Sequence, residues 1–466
     1  MISKEKRSPK MLINFRFGNY LSFRDEVEFT CLASREKQHA ERVFRSPRLK
    51  FRILPLATIW GANGSGKSNF YYAIQFARRF IVRGKSRPED RIDVEPFKLD
   101  PAYLALPTSF GFDLLINDHI YSYQFSVTRE RVVSESLDEV KGEKRTRIYS
   151  RGWTDSGTPV WDIEYFRKLD MSEDDKQFIE FKTRDTLPNQ LFLSELRGKK
   201  IPILDNVGEW FRRNLVLLDP NAVFKPIELS LQQVEEFRRY AADLLQKAGT
   251  GIYSLENEMV AIESLPLSEP QKAEITKMLS ASGDKAMFQV EGPERRRFLV
   301  FREGNETKAM KLVANHNDCN ARRVAFEMTD ESEGTQRLID LLSAFYELSN
   351  PTTEKVFVID ELDRSLHTLL TRSLVESFLS VRQSSSRGQL IFTTHDGLLL
   401  DQNLMRRDEV WFIDKNAQGA SALSSLSDFD VRYDKDIRKS YLQGRFGGIP
   451  NIWGLPKQAL NAKKED

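Results

Sequence analysis

Eight residues, GANGSGKS from Gly61 to Ser68, interleave glycines with small polar residues and end on a lysine and a serine. The spacing is G-x-x-x-x-G-K-[ST], and each residue type serves the holding of a phosphate chain. Gly61, Gly64 and Gly66, with the small Asn63 and Ser65 among them, let successive backbone N–H groups turn inward on an anion. Lys67 reaches the β and γ oxygens, and Ser68 offers a hydroxyl to Mg²⁺ at a helix N-terminus. Chance alone would place this pattern in roughly two of every hundred chains of this length, so the flanks must decide. Before it runs LPLATIW, a short apolar strand. After it Phe70, Ala73, Ile74, Ala77 and Phe80 recur at helical spacing. Strand, glycine loop and helix are the setting that binding of a nucleotide, expected to be ATP, requires.

Three further stretches carry candidate chemistry. VFVIDELD, Val356 to Asp363, ends an apolar strand on adjacent carboxylates, at the edge where open α/β sheets bind ligands. There Asp360 would hold Mg²⁺ through water and Glu361 would orient and deprotonate an attacking water; the plain alternative is a solvated turn. His395 closes the next apolar strand, QLIFTTHD, and would sense a γ-phosphate by hydrogen bonding; alone, such a histidine is usually structural. SEGTQR, Ser332 to Arg337, opens a helix with small residues, which suits either a second anion site or a simple cap by Ser332 or Thr335.

The elements that must position these residues follow from pattern. LINFRF and EVEFTCLA read as strands, and Ser109 to Tyr149 reads as an antiparallel meander turning at Asn117 and Asp118. Residues 164–282 are richer in helical pattern. Strands return with KAMFQVE, RRFLVFRE and RRVAFEM; then KVFVIDEL, QLIFTTHD and EVWFIDK alternate with helices, which argues for a parallel sheet buried on both faces. The expected fold class is α/β: a P-loop ATPase head with a β-meander subdomain and a mainly helical insertion. The expected division is 11–163 for the first half of the head, 164–282 for the insertion, 283–425 for the second half and 426–466 for a tail.

Composition narrows the classes. The chain has 466 residues, 40% of them apolar, and its 70 Lys+Arg nearly cancel 68 Asp+Glu, so no overall field calls for nucleic acid or an anionic membrane. No apolar run is long enough to span a bilayer, and MISKEKRSPK lacks the core of a secretory signal, so a cytoplasmic protein without membrane contact is expected. Cys31 and Cys319 are too few for a disulfide framework or a zinc cluster. Mg²⁺ arriving with the nucleotide is the metal to expect. Arg42, Arg45, Arg48, Lys50 and Arg52 gather before the glycine loop and could touch a phosphate backbone, although a solvated loop is favoured. Trp60 is expected to fill the core, and Tyr441, Arg445 and Phe446 to pack the tail onto the head.

The order glycine loop, SEGTQ with its helix, VFVIDELD, then TTHD resembles the ABC-type ATPase head shared by transporters, SMC proteins and their repair relatives. NFRFGNYLSF is similar to the start of SMC-like heads. On this resemblance Ser332 and Gly334 stand at the signature serine and second glycine, Asp363 at the D-loop and His395 at the switch histidine. Glu333 departs from the pattern, standing where the first signature glycine is usual. More narrowly, GTQRL, DELDRSLHTLL and YLQGRFGGIP resemble AAA/ABC-like ATPases of bacterial abortive-infection and anti-phage systems, relatives of the OLD-family ATPases. The resemblance implies hydrolysis of ATP with Glu361, His395 and Lys67 as catalytic residues. It also implies a homodimer or higher oligomer in which Lys67 of one protomer and Ser332 of another bracket one nucleotide. Only a short tail follows His395, without room for a TOPRIM nuclease, so the resemblance implies a separate effector protein, a nuclease or toxin. A DNA-transaction ATPase and a nucleotide-dependent scaffold are the alternatives.

Overall fold

A computed structural model describes residues 9–46, 48–84, 87–196, 201–282, 286–293, 296–304, 306–429 and 436–448. Much of the expected tail, including Pro450, lies outside them. The chain forms two compact units: Met1–Leu217 with Pro351–Leu362 and Arg382–Asp466, and Leu218–Asn350 with Asp363–Val381.

In the first unit, continuous apolar runs make a six-stranded sheet in the order Leu215–Leu218, Val356–Ile359, Gln389–Thr394, Leu56–Trp60, Val410–Lys415, Ser421–Ser425. The four inner strands run parallel, and Ser421–Ser425 returns antiparallel along the edge. Every residue of Leu56–Trp60, Val356–Ile359 and Gln389–Thr394 is buried, as strands covered on both faces must be. Trp60 pairs with Thr394 and Ile359 with Phe392. That register brings Gly61 level with His395, and Asp360 level with Thr393, at one edge of the sheet.

The second sheet of this unit is seven-stranded and antiparallel. It runs Pro159–Asp162, Lys144–Trp153, Val132–Lys141, His119–Val127, Thr108–Ile116, Lys10–Gly18, Val27–Thr30. The meander read from alternation is its centre. Asn117 and Asp118 both take positive φ, 54° and 65°, the pair of left-handed residues that a two-residue hairpin matched to strand twist demands. LINFRF belongs to Lys10–Gly18, which pairs with the meander strand Thr108–Ile116. Phe15 on that strand packs against Phe112 at 4.8 Å and Phe70 at 5.9 Å between ring centres, fixing the meander to the helix Lys67–Arg83 that follows the glycine loop.

The second unit holds an antiparallel sheet of Ile252–Ala261, Glu306–Asn317, Arg297–Glu303 and Met287–Glu291, with Arg323–Glu327 also paired to Glu306–Asn317. Its helices include Glu235–Lys247, Glu269–Ser282, Glu333–Ser349 and Thr368–Ser380. Residues 164–282, read as mainly helical, are helical for much of their length but also supply Leu215–Leu218 to the parallel sheet and Ile252–Ala261 to this one.

Candidate functional site

The glycine loop is a backbone cage. A Cβ on Gly61 would lie 2.4 Å from Ser65 Oγ and 2.6 Å from the Ile413 carbonyl, so only glycine fits where the strand stops. Gly64 and Gly66 take φ of 77° and 119°, a region closed to most side chains. Gly66 caps the helix with no side chain, which leaves its first N–H groups to a ligand. Lys67 is buried, and its ammonium donates to the carbonyls of Gly61 at 2.7 Å and Ala62 at 3.1 Å. The cation is therefore stationed inside the loop. A hydroxyl relay braces the cage from behind: Asn69 Nδ2 donates to Ser22 Oγ at 2.7 Å, Ser22 and Ser421 hydroxyls meet at 2.7 Å, and Ser421 Oγ donates to Ser65 O at 2.5 Å.

Across the sheet edge, Asp360 is 2% exposed and accepts from Thr393 Oγ1 at 2.6 Å and from the Ser68 hydroxyl. Burial raises its pKa above the ordinary aspartate value, and Glu361 adds to this; the hydrogen bonds from Thr393 and Ser68 and the charge of Lys67 oppose it. Glu361 is half-buried and held at φ 47°, its N–H donating to Thr393 Oγ1 at 2.8 Å. His395 stands exposed directly after the strand. The structure thus brings Gly61 to Ser68, Asp360, Glu361 and His395 to one edge. Ser68 and Asp360 are hard oxygen donors that already touch, a set that suits Mg²⁺, and the inward-facing glycine backbone suits a phosphate chain.

Ser332, Gly334 and Asp363 lie in the second unit. Ser332 caps the helix Glu333–Ser349, accepting from Thr335 N at 3.1 Å, so the capping role read from sequence is realised. A Cβ on Gly334 would lie 2.6 Å from the Ser365 carbonyl, so glycine there permits close approach of the DRS turn. Glu333 reaches Ser365 Oγ at 3.4 Å. Asp363 is buried beside them in the chain.

The model of the family described as "AAA domain, putative AbiEii toxin, Type IV TA system" matches residues 56–401. The chain belongs to this family. The match runs from the glycine-loop strand of the AAA domain past its His395. Similar solved structures include an SMC head bound to the C-winged helix domain of ScpA, at 13% identity and TM-score 0.37, covering 89% of this chain and 98% of that one. The SMC head domain from Thermotoga maritima matches at 13% and 0.34, covering 89% and 98%. The recombination mediator protein RecF with ATP, of the RecFOR pathway, matches at 14% and 0.36, covering 91% and 99%. No curated protein matches the chain. The AAA domain has an α/β fold, with an antiparallel sheet and helices beside the parallel one.

Sequence reasoning missed Thr393 and Asn69 within the AAA domain, and Ser22 and Ser421 outside its matched span. Thr393 had a signal: strand alternation puts it on the same face as His395, two residues on. Ser22 and Ser421 are 399 residues apart and carried none. The basic cluster is dispersed: Arg42 is buried on Glu409 at 2.6 Å, Arg48 pairs with Asp118 at 3.4 Å, and Arg52 donates to the Ser34 carbonyl. Trp60 is fully buried, its Nε1 3.5 Å from the Asp396 carbonyl. Tyr441 and Phe446 stack on Phe412, each at 5.4 Å, while Arg445 is exposed. Gly448 packs against the start of the glycine loop: a Cβ there would lie 3.3 Å from Gly61 Cα. No helix among the described residues is long and apolar enough to cross a membrane.

Proposed function

We propose that the protein binds and hydrolyses ATP and that the cycle regulates a separate effector protein. The observation that carries the hydrolytic reading is the Ser68 hydroxyl bonded to buried Asp360, beside Lys67 and next to Glu361. In this reading Gly61, Asn63, Gly64, Ser65 and Gly66 wrap the phosphates with backbone N–H groups, and Lys67 carries charge to the β and γ oxygens. Ser68 and Asp360 hold Mg²⁺, which neutralises phosphate charge. Glu361 takes the proton of the attacking water, and His395 donates to the γ-phosphate. Ser332, Gly334 and Asp363 act on the nucleotide of a second protomer, so that ATP closes a homodimer and hydrolysis opens it.

The defence reading, with a nuclease or toxin as effector in the cytoplasm, draws support from the toxin–antitoxin wording of the family description. Packing of Gly448 on Gly61 supports the tail as a reader of the loop. The division into head halves 11–163 and 283–425, insertion 164–282 and tail 426–466 belongs to the same proposal. A DNA-transaction ATPase draws less support, since Arg42 of the basic cluster is buried in an ion pair. The test is to purify tagged Glu361→Gln protein from its host with Mg-ATP, beside a Lys67→Ala control, and to identify what accompanies each. A nuclease or toxin held only by Glu361→Gln supports the effector reading; DNA with repair proteins and no effector overturns it.

A further inference from the structure

Thr393 is a polar residue, 1% exposed, in the middle of a parallel sheet. Valine would serve the strand as well, and a buried hydroxyl costs stability unless it is bonded. Here it is bonded on both sides. Its Oγ1 donates to Asp360 Oδ1 at 2.6 Å and accepts the Glu361 N–H at 2.8 Å; its own carbonyl accepts the Leu362 N–H at 3.1 Å. One residue therefore ties down three consecutive residues of the acidic turn.

That turn needs holding. Glu361 sits at φ 47°, a left-handed conformation disfavoured for a non-glycine residue. Strain of this kind persists only where surrounding bonds over-determine it. The same conformation sets the direction in which the Glu361 side chain leaves the backbone, and the bond to Asp360 Oδ1 restrains the rotation of that carboxylate.

We infer that Thr393 is the positioning residue of the hydrolytic site: it aims Glu361 at the attacking water and orients Asp360 toward the metal, without touching nucleotide itself. This rests on the ATPase reading above. Groups that orient metal ligands in this way typically cost 10–100-fold in affinity or activity when removed.

The experiment compares the full chain with Thr393→Val, which keeps shape and loses the hydroxyl, and Thr393→Ser, which keeps the hydroxyl. Thr393→Val is expected to stay folded with a lowered melting temperature, because it leaves the Asp360 carboxylate and the Glu361 N–H without that partner. It is expected to bind ATP as the parent does, to lose about 10–100-fold in kcat with KM little changed, and to need more Mg²⁺ for half-maximal rate. Thr393→Ser is expected to restore both kcat and the Mg²⁺ requirement, a rescue that a purely structural role would not tie to the metal. If Thr393→Val does not fold, Thr393→Cys, with a weaker donor of similar size, should show the same losses in smaller degree. Turnover within about twofold of the parent at the same Mg²⁺ by whichever of the two folds overturns the inference while leaving the ATPase reading standing. Absence of any turnover in the parent that Glu361→Gln abolishes would remove the reading and the inference together.

Discussion

Gly61 is where geometry is least forgiving, because one of the two atoms that crowd it is the Ile413 carbonyl of a neighbouring strand and cannot swing away. Gly61→Ala should therefore displace the loop rather than a side chain. ATP affinity is expected to fall at least about tenfold, the equivalent of about 1.4 kcal/mol, with the melting temperature little changed. Equilibrium binding of a fluorescent ATP analogue reads this, and unchanged affinity would show that the loop accommodates the methyl. Lys67→Ala should be more severe, since the ammonium already stands between the Gly61 and Ala62 carbonyls, poised to trade them for phosphate oxygens. Binding in the same assay is expected to fall below detection at micromolar protein. Residues of this kind were legible because their roles are encoded in local spacing. Ser22 and Ser421 were not, because their contact joins segments 399 residues apart; for Thr393 alternation marks the face, while its partner Asp360 is set by strand register.

Among elements, the meander is tied down at a second point, besides the packing of Phe15, by one carboxylate. Glu135 is buried and accepts from Tyr123 Oη at 2.9 Å, Tyr149 Oη at 2.8 Å, Phe192 N at 2.7 Å and Leu193 N at 3.1 Å. The last two begin the short helix Phe192–Glu195, whose Ser194 Oγ bonds the Ile81 carbonyl of the glycine-loop helix at 2.7 Å. Glu135→Ala leaves four donors facing a void. A loss of about 3–5 kcal/mol is expected in urea unfolding, against about 1 kcal/mol for Tyr123→Phe. Equal, small losses in the two variants would contradict the anchor. The meander itself was readable from alternation and from the Asn117–Asp118 turn. What alternation does not carry is which strand joins which sheet, so the places of Lys10–Gly18 beside the meander and Leu215–Leu218 beside Val356–Ile359 came only from the fold. Chain order likewise concealed that Leu56–Trp60 lies between Gln389–Thr394 and Val410–Lys415.

At the scale of the whole molecule, near-cancellation of 70 basic against 68 acidic residues conceals several acids whose charge the fold resists. Burial is the leading cause that raises Glu36, Glu135, Glu228, Asp360 and Glu409 above their ordinary values. For Glu409, fully enclosed, the rise reaches about 7 despite the opposing charge of Arg42. The sign follows from linkage. Between the ordinary 4.5 of the unfolded chain and about 7, the folded state keeps a proton that the unfolded state releases, so stability falls as pH rises through that window and levels off above it. Glu409→Gln cannot release that proton, and its amide can still accept from Arg42 and from the Arg406 N–H, which the carboxylate now meets at 2.6 Å and 2.9 Å. Urea midpoints measured from pH 5 to pH 7.5 should therefore decline less steeply for Glu409→Gln than for the parent. The two curves should converge toward acid and separate toward neutral, where the parent carries an ionised carboxylate in its interior. A parent curve that rises over this range would mean that the Arg42 ion pair outweighs burial, and Glu409→Gln would then be the less stable protein at neutral pH.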